Sequence, residues 1–319
     1  MTMSAIEIRH KPPNYTHGAP LKNPIFGFGY NDAMFFTEEV NVKYRSIRLR
    51  FQTEKSPPYF IGSQIRGALG FALKKVVCIN PSQECKGCFA AENCLFYQWY
   101  ERSGVYHSYR LDIALGKPYY DVGMYLFAGA TDKLPYVVSA FHQMLTVTGL
   151  GIQHEKISSY ELIVDGVRAN DAEGKITLSD APPKTIEPSD DPAPQRLRVR
   201  LITPLRIKHN NRFVRSMEHL HLHAIINSIH KRYLQLSDLP LTRLDYRVEG
   251  EVTDRFGVFK DLTRFSTHNK GKLKIGGMVG EMTIEGIDEH SYRLLKLGEI
   301  IGVGKQTVFG LGKIELDII

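Results

Sequence analysis

The strongest constraint on this chain is the order in which its hydrophobic period switches between residues 196 and 318. Arg196–Lys208 alternates charged and apolar residues, the pattern of a half-buried strand. Ser216–Leu236 then carries Leu220, Leu222, Ile225, Ile226, Ile229, Tyr233 and Leu234, which predicts an amphipathic helix entered at Ser216. Tyr246–Lys260 and Lys272–Glu285 read as two strands, Asp288–Ile301 as a helix and Leu311–Ile318 as a closing strand. The order β-α-β-β-α-β is that of a split βαβ unit.

Residues before 181 repeat this order with more noise. Val42–Gln52 alternates as a strand, Gly62–Val77 reads as a helix, and strand-like segments follow at Tyr106–Ile113 and Val122–Ala128. Pro135–Thr146 predicts a helix with proline in its first turn, and Ser158–Val164 a last strand. Between the two series runs APPKTIEPSDDPAPQ, too rich in proline for a continuous element. The expectation is an α+β protein of two tandem copies of one small unit. Its first domain spans 1–180, a Pro/Asp-rich linker 181–195 and its second domain 196–319.

Charge is distributed unevenly. The chain has 41 Lys+Arg against 34 Asp+Glu, a net +7, yet residues 196–275 alone hold 17 basic and 7 acidic residues, a local +10. Arg and Lys interleave with apolar residues in RLRVRLITPLRIK, which suggests a surface facing a polyanion, nucleic acid first. No apolar run reaches the roughly 18–20 residues of a membrane span. The N-terminus lacks the apolar core of a secretory signal, so a soluble, cytoplasmic protein is expected.

Near the C-terminus four glycines stand in eleven residues: Gly302, Gly304, Gly310 and Gly312, in a G-x-G-x5-G-x-G pattern between a helix and a strand. Such a loop permits left-handed backbone and close approach to a ligand, and with Lys305 and Lys313 its N–H groups suit phosphate. The spacing is not that of a Walker A loop, and no strand precedes it as a dinucleotide fold requires.

With Gly62-Ser-Gln-Ile-Arg66-Gly67-Ala-Leu-Gly70-Phe-Ala-Leu-Lys74, Gly149-Leu-Gly151, Thr203-Pro-Leu-Arg206-Ile-Lys208 and Gly276-Gly-Met-Val-Gly280-Glu281, this loop makes the chain resemble one known family. That family is the RAMP superfamily of CRISPR systems, particularly its precursor-crRNA processing endoribonucleases. The resemblance implies two ferredoxin-like, RRM-like domains and an antiviral-defence nuclease that binds CRISPR repeat RNA. It also implies metal-independent RNA cleavage in which a ribose 2′-OH attacks the adjacent phosphate and leaves a 2′,3′-cyclic phosphate and a 5′-OH. Implied partners are precursor crRNA and subunits of a CRISPR effector complex. A non-catalytic subunit that holds crRNA in such a complex is the alternative.

Members of that family often carry a catalytic histidine in or just before the first helix, and Thr53–Val77 contains none, so either Lys55, Tyr59 and Arg66 supply electrostatics there or the site has moved. If the halves are pseudo-symmetric, the corresponding place in the second half reads Lys208-His209-Asn-Asn-Arg212 followed by His219, His221 and His223. His209 and His219, with His154 from the Gly149–Gly151 turn, are therefore the catalytic candidates, histidine being suited to acid–base work near neutral pH. His219 and His223 at four-residue spacing also fit a metal pair or simple packing. Arg66, Lys208, Arg212, Lys305 and the four loop glycines are the RNA-binding candidates.

All four cysteines fall within seventeen residues, Cys78, Cys85, Cys88 and Cys94. In a cytosolic chain this clustering points to metal thiolates, with a complete four-thiolate set for structural Zn²⁺. A four-iron cluster takes the same ligand number and stays open as the alternative. No metal is expected in the chemistry.

Overall fold

The computed structural model describes residues 42–187, 191–266 and 271–319. It contains two α/β lobes, each an antiparallel sheet carrying two helices. In the first lobe the elements are β1 (Lys43–Phe51), α1 (Gly62–Val77), β2 (Tyr109–Ile113), β3 (Tyr120–Phe127), α2 (Leu134–His142) and β4 (Tyr160–Val164). The sheet order is β2-β3-β1-β4, with β1 antiparallel to both neighbours. Ile47, Leu49 and Phe51 of β1 point into the core, while Arg48 and Arg50 alternate with them and pair with Asp112/Asp121 and Glu161; Arg45, nearer the start of the strand, pairs with Asp165. Helix α1 seals this sheet with Ile65, Leu69, Ala72 and Leu73.

The second lobe repeats the order with β5 (Arg196–Leu205), α3 (Leu222–Leu236), β6 (Glu251–Lys260), β7 (Gly277–Glu285), α4 (Glu289–Ile301) and β8 (Ile314–Ile318). Its sheet runs β6-β7-β5-β8, so both lobes have the split βαβ strand order expected from the periodicities. Asp288 caps α4, its carboxylate accepting the Ser291 N–H at 2.7 Å.

Four local expectations change. The helix expected from Ser216 begins at Leu222, because Ser216 Oγ instead caps a separate 3₁₀ turn at Met217–His219. His219 and His223 therefore do not share a helix face. The expected strand 272–285 breaks at Gly276–Gly277, where a side chain at Gly277 would stand 2.5 Å from the Leu205 carbonyl oxygen. Its first part folds back on Thr263–Ser266 as a hairpin, Gly271–Lys274.

Helix α2 ends at His142 and widens into a π turn over Gln143–Thr148, where Thr146 Oγ1 donates to the His142 carbonyl at 2.9 Å. Part of the proline-rich segment is structured: Lys184–Thr185 pairs with the start of β1, and Ile186 is buried. Among the described residues no helix is long and apolar enough to cross a membrane.

Candidate functional site

The glycine loop is a wedge between the lobes. Gly302, Gly310 and Gly312 are buried. A side chain at Gly312 would meet the Val303 carbonyl oxygen at 1.8 Å, and one at Gly310 would meet Ile113 of β2 at 2.5 Å. The loop N–H groups are spent internally: Val303 donates to Gly312, Gly304 to Ser228 Oγ, Lys305 to Arg206, Gly312 to Pro204 and Lys313 to Thr203 Oγ1. The expectation of a cradle of exposed N–H groups is corrected accordingly. The glycines fit tight packing, and Lys305 is the exposed cation of the loop.

Beside this wedge lies a buried ionic lattice. Arg110, 1% exposed, donates from Nε to the Ile300 carbonyl (2.6 Å) and from Nη2 to that of Glu299 (2.7 Å). Arg232 donates to the Ile301 carbonyl at 2.7 Å. Both cations thus cover the carbonyl end of α4, where the helix dipole is negative. Asp112 pairs with Arg110, and Arg48 and Lys313 are its further partners. Burial alone would raise the Asp112 pKa, but Arg110, Lys313 and Arg48 together hold it below the usual carboxylate range. Burial, then Arg110, push Arg232 down to about 9.

The basic strand β5 does not present free charge. Arg196 pairs with Glu285, Arg198 with Glu281, and Arg200 with Asp317 and Glu315 at 2.7 and 2.8 Å. The polyanion-facing reading of RLRVRLITPLRIK fails for these three, because β7 and β8 set carboxylates opposite them.

Free cations gather elsewhere, each over an aromatic ring. Arg206 and Lys208 lie over Phe213 at 3.9 and 5.2 Å, Arg215 over Phe259 at 5.1 Å and Lys260 over Tyr59 at 4.7 Å. Arg264 and Arg66 each lie 4.7 Å from the Phe309 centroid, and Arg66 also covers Tyr100. Among the described residues none of these six has a carboxylate within ion-pair distance. Burial and the neighbouring Arg215 lower the Arg206 pKa, the signature of like charges held together. This strip is assembled mainly from the second lobe and reaches the first at Tyr59 and Arg66.

At its other end three histidines meet. The His209 and His221 rings stand 4.7 Å apart. His221 is held below the ordinary histidine pKa by burial first, then by His209, Arg255 and His219. Arg255 is fixed by donating to the Met217 and Glu218 carbonyls, both at 3.2 Å. His209 itself sits on a two-residue hairpin arm opposite Arg212, turned by Asn210 and Asn211 in left-handed backbone. Two of the sequence candidates, His209 and His219, are thus gathered around His221. His154 stands elsewhere, exposed on a turn beside Gln64 of α1, its Nδ1 3.2 Å from the Thr148 carbonyl oxygen.

His221 was not among the sequence candidates, though a signal existed. In His219-Leu220-His221-Leu222 the leucines are buried and the histidines exposed, an extended alternation hidden inside what looked like a helix. Arg255 and Arg264 carried no local signal at all.

The four cysteines are unpaired and half-buried. Burial raises the Cys85 thiol pKa, with Lys74 opposing and Glu101, Cys94 and Cys78 adding to the rise. From 78 to 94 no residue is buried. Among the described residues no three His, Cys, Asp or Glu side chains stand together in a position to hold a metal ion.

Comparison with known proteins follows the two lobes. A family model described as an N-terminal domain matches residues 40–186. The model of CRISPR-associated endoribonuclease Cas6 matches 199–314. An Archaeoglobus fulgidus protein is 23% identical over 299 residues, 83% of this chain and 94% of its own. In fold, a Cas6 product complex is similar with a TM-score of 0.55 at 16% identity, over 86% of this chain and 99% of that one. Thermus thermophilus Cas6 gives 0.53 at 18% identity over the same shares. The Cas6-bearing chain of a partial Cas6-RT-Cas1–Cas2 complex gives 0.52 at 13%, over 87% of this chain and 46% of that one. The match to the model of CRISPR-associated endoribonuclease Cas6 thus takes in the histidine cluster, most of the cationic strip and the glycine wedge.

Proposed function

We propose that this protein is an endoribonuclease that cuts CRISPR repeat RNA, and we read both lobes as ferredoxin-like. The observation that carries the reading is the strip of six cations that have no carboxylate partner among the described residues, each on an aromatic ring, ending at paired histidines. Phosphates need cations that are not already neutralised, and unstacked bases need π faces; the strip offers both at the same places. Cleavage without a metal needs a base for the ribose 2′-OH, an acid for the leaving oxygen and charge for the phosphorane. His221, kept neutral by its surroundings, suits the base. His209 beside it suits the acid, and Arg255 lies close enough to supply charge. Attack by the 2′ oxygen on phosphorus expels the 5′ oxygen, leaving a 2′,3′-cyclic phosphate and a 5′-OH.

The test is incubation of the purified chain with repeat RNA in EDTA, followed by end-group analysis. A single cut ending in cyclic phosphate is expected. Intact but retarded RNA would sink the nuclease reading in favour of a binding subunit. Cleavage abolished by His154→Ala but untouched by His209→Ala and His221→Ala would move the base to the first lobe.

The strip makes a separate prediction. Replacing Arg206, Arg215 and Lys260 together by glutamine should weaken binding to any repeat sequence and lower the salt-dependence slope by about two to three, close to one per lost phosphate contact. The same number of substitutions at Arg196, Arg198 and Arg200 should change the slope far less, because those charges are already paired.

We further propose a structural zinc on Cys78, Cys85, Cys88 and Cys94. The supporting observation is a seventeen-residue segment with no buried side chain, whose four thiols are all half-buried. Closure of the segment around the ion would supply cohesion that it lacks otherwise. Elemental analysis should find one zinc per chain, lost in Cys88→Ser, with chelation lowering thermal stability. Iron with visible absorption would replace zinc by a cluster, and metal-free protein of unchanged stability would remove the site.

A further inference from the structure

Strand β6 is the outermost strand of the second sheet and pairs on one side only, with β7. The register sorts its side chains between two faces. Arg255 and Phe259 stand opposite Met282 and Met278, both buried, so Asp254, Phe256, Val258 and Lys260 share the other face. Phe256 is 74% exposed there and Val258 59%. Neighbouring large apolar residues on an unpaired strand are a template for further pairing, and folds usually avoid them. The backbone of this edge is uncommitted as well. The Arg255 N–H donates to the Asp254 carboxylate at 2.8 Å, not to a neighbouring strand. Donor direction alternates along a strand, so the N–H groups of Gly257 and Phe259 face outward with it.

The open face reads acidic, apolar, apolar, basic, an order complementary to its own reverse. Let two copies of β6 lie antiparallel about a two-fold axis at Gly257. Asp254 then faces the partner's Lys260, and Phe256 faces the partner's Val258, each pair occurring twice. A slip of two residues sets Asp254 against the partner's Val258, or Lys260 against the partner's Phe256. A slip of one turns the apolar residues to the wrong face. Within the chain Asp254 meets the Arg255 N–H and Lys260 lies over the Tyr59 ring, and among the described residues neither is ion-paired.

We propose that a second copy of this chain pairs with β6 edge to edge, in the register centred on Gly257, joining the two second-lobe sheets into one. The partner's Phe259 carbonyl takes the Arg255 N–H, and the Asp254 carboxylate so released meets the partner's Lys260. Because Arg255 also holds the Met217 and Glu218 carbonyls beside His221, the two histidine clusters flank the joint. The proposal is independent of the RNA reading.

The cationic strip also draws on Lys260, so the test uses the full chain free of RNA. Sedimentation at micromolar concentration should give twice the chain mass. Asp254→Lys should raise the dimer dissociation constant on the order of tenfold, two cross-strand attractions having turned repulsive. Adding Lys260→Asp restores opposite charges in exchanged places and should bring the constant back. The register is read by mild oxidation: an equal mixture of Phe256→Cys and Val258→Cys chains should crosslink to a double-mass band, and the unaltered chain or either variant alone far less. A monomer at every concentration overturns the proposal, whether or not another protein binds the edge. Open-ended assembly beyond two copies overturns it too. A dimer indifferent to both charge changes, or crosslinked best by Phe256→Cys alone, places the axis elsewhere and overturns the assignment.

Discussion

Replacing Arg110 by methionine should destabilise the protein by about 3–5 kcal/mol, the cost of removing one member of a buried, hydrogen-bonded charge set. The side chain contributes three things at once: two hydrogen bonds to the last carbonyls of α4, a charge beside Asp112 and a cation over Tyr125 at 4.6 Å. Its loss leaves Asp112 buried with Arg48 and Lys313 alone. For a chain of this size about 2–4 °C of Tm accompanies each kcal/mol, so a fall of roughly 10 °C is expected in thermal unfolding. Arg196→Met is the matched control. Its ion pair with Glu285 is half-exposed, and such pairs contribute about 0–1 kcal/mol. Equal shifts for the two variants would show that the lattice beside the glycine wedge is not what holds α4 against β2.

His221→Ala should slow cleavage by about 10²–10⁴-fold under single-turnover conditions, the usual contribution of a positioned general base. Binding, carried by the strip, should change little. The pH dependence gives a sharper check. A base must be unprotonated to work, and the surroundings of His221 lower its pKa from 6.5. The midpoint of the acid limb should therefore lie below 6.5. Substituting Arg255 by glutamine removes one of the causes of the depression. The acid limb of Arg255→Gln should accordingly move up toward 6.5, with RNA affinity reported separately. An acid limb centred above 6.5 in the unaltered chain, and unmoved in Arg255→Gln, would assign the base elsewhere.

Local periodicity carried the fold. Helix α1 was legible at both ends, Gly62 and Val77, because its apolar spacing is regular and bounded. The inward residues of β1 and β5, such as Ile47, Leu49, Leu197 and Val199, were legible from alternation alone. What alternation does not contain is the identity of the residue across the ladder. Arg198 and Arg200 looked like free charge because Glu281, Glu315 and Asp317 reach them only through the register of β7 and β8. The glycine loop was located correctly as a loop, but its exposure was misjudged for a similar reason. Nothing within eleven residues tells that Ile113 and Arg110 of the other lobe stand against it. The histidine cluster was half legible: His209 and His219 were picked out by their place after the first strand of the second lobe, and His221 was concealed by a helical misreading of the four alternating residues His219–Leu222. The Arg66–Arg264 pair required two segments distant in the chain to meet at one phenylalanine.

The wedge has a mechanical consequence. Val308, Phe309 and Leu311 belong to the same apolar core as β1, β2 and α1 of the first lobe, and Leu262 and Ile275 join them. A hinge between the lobes would have to pull these side chains into water and uncover Arg110 in the same movement. The lobes are therefore expected to move together and to unfold in a single calorimetric transition. A stiff receptor does not adapt to its guest. On the proposed RNA reading, whatever curvature is needed to touch the strip from Lys208 to Arg66 has to come from the nucleic acid, so ease of bending would count in selection as well as the bases carried.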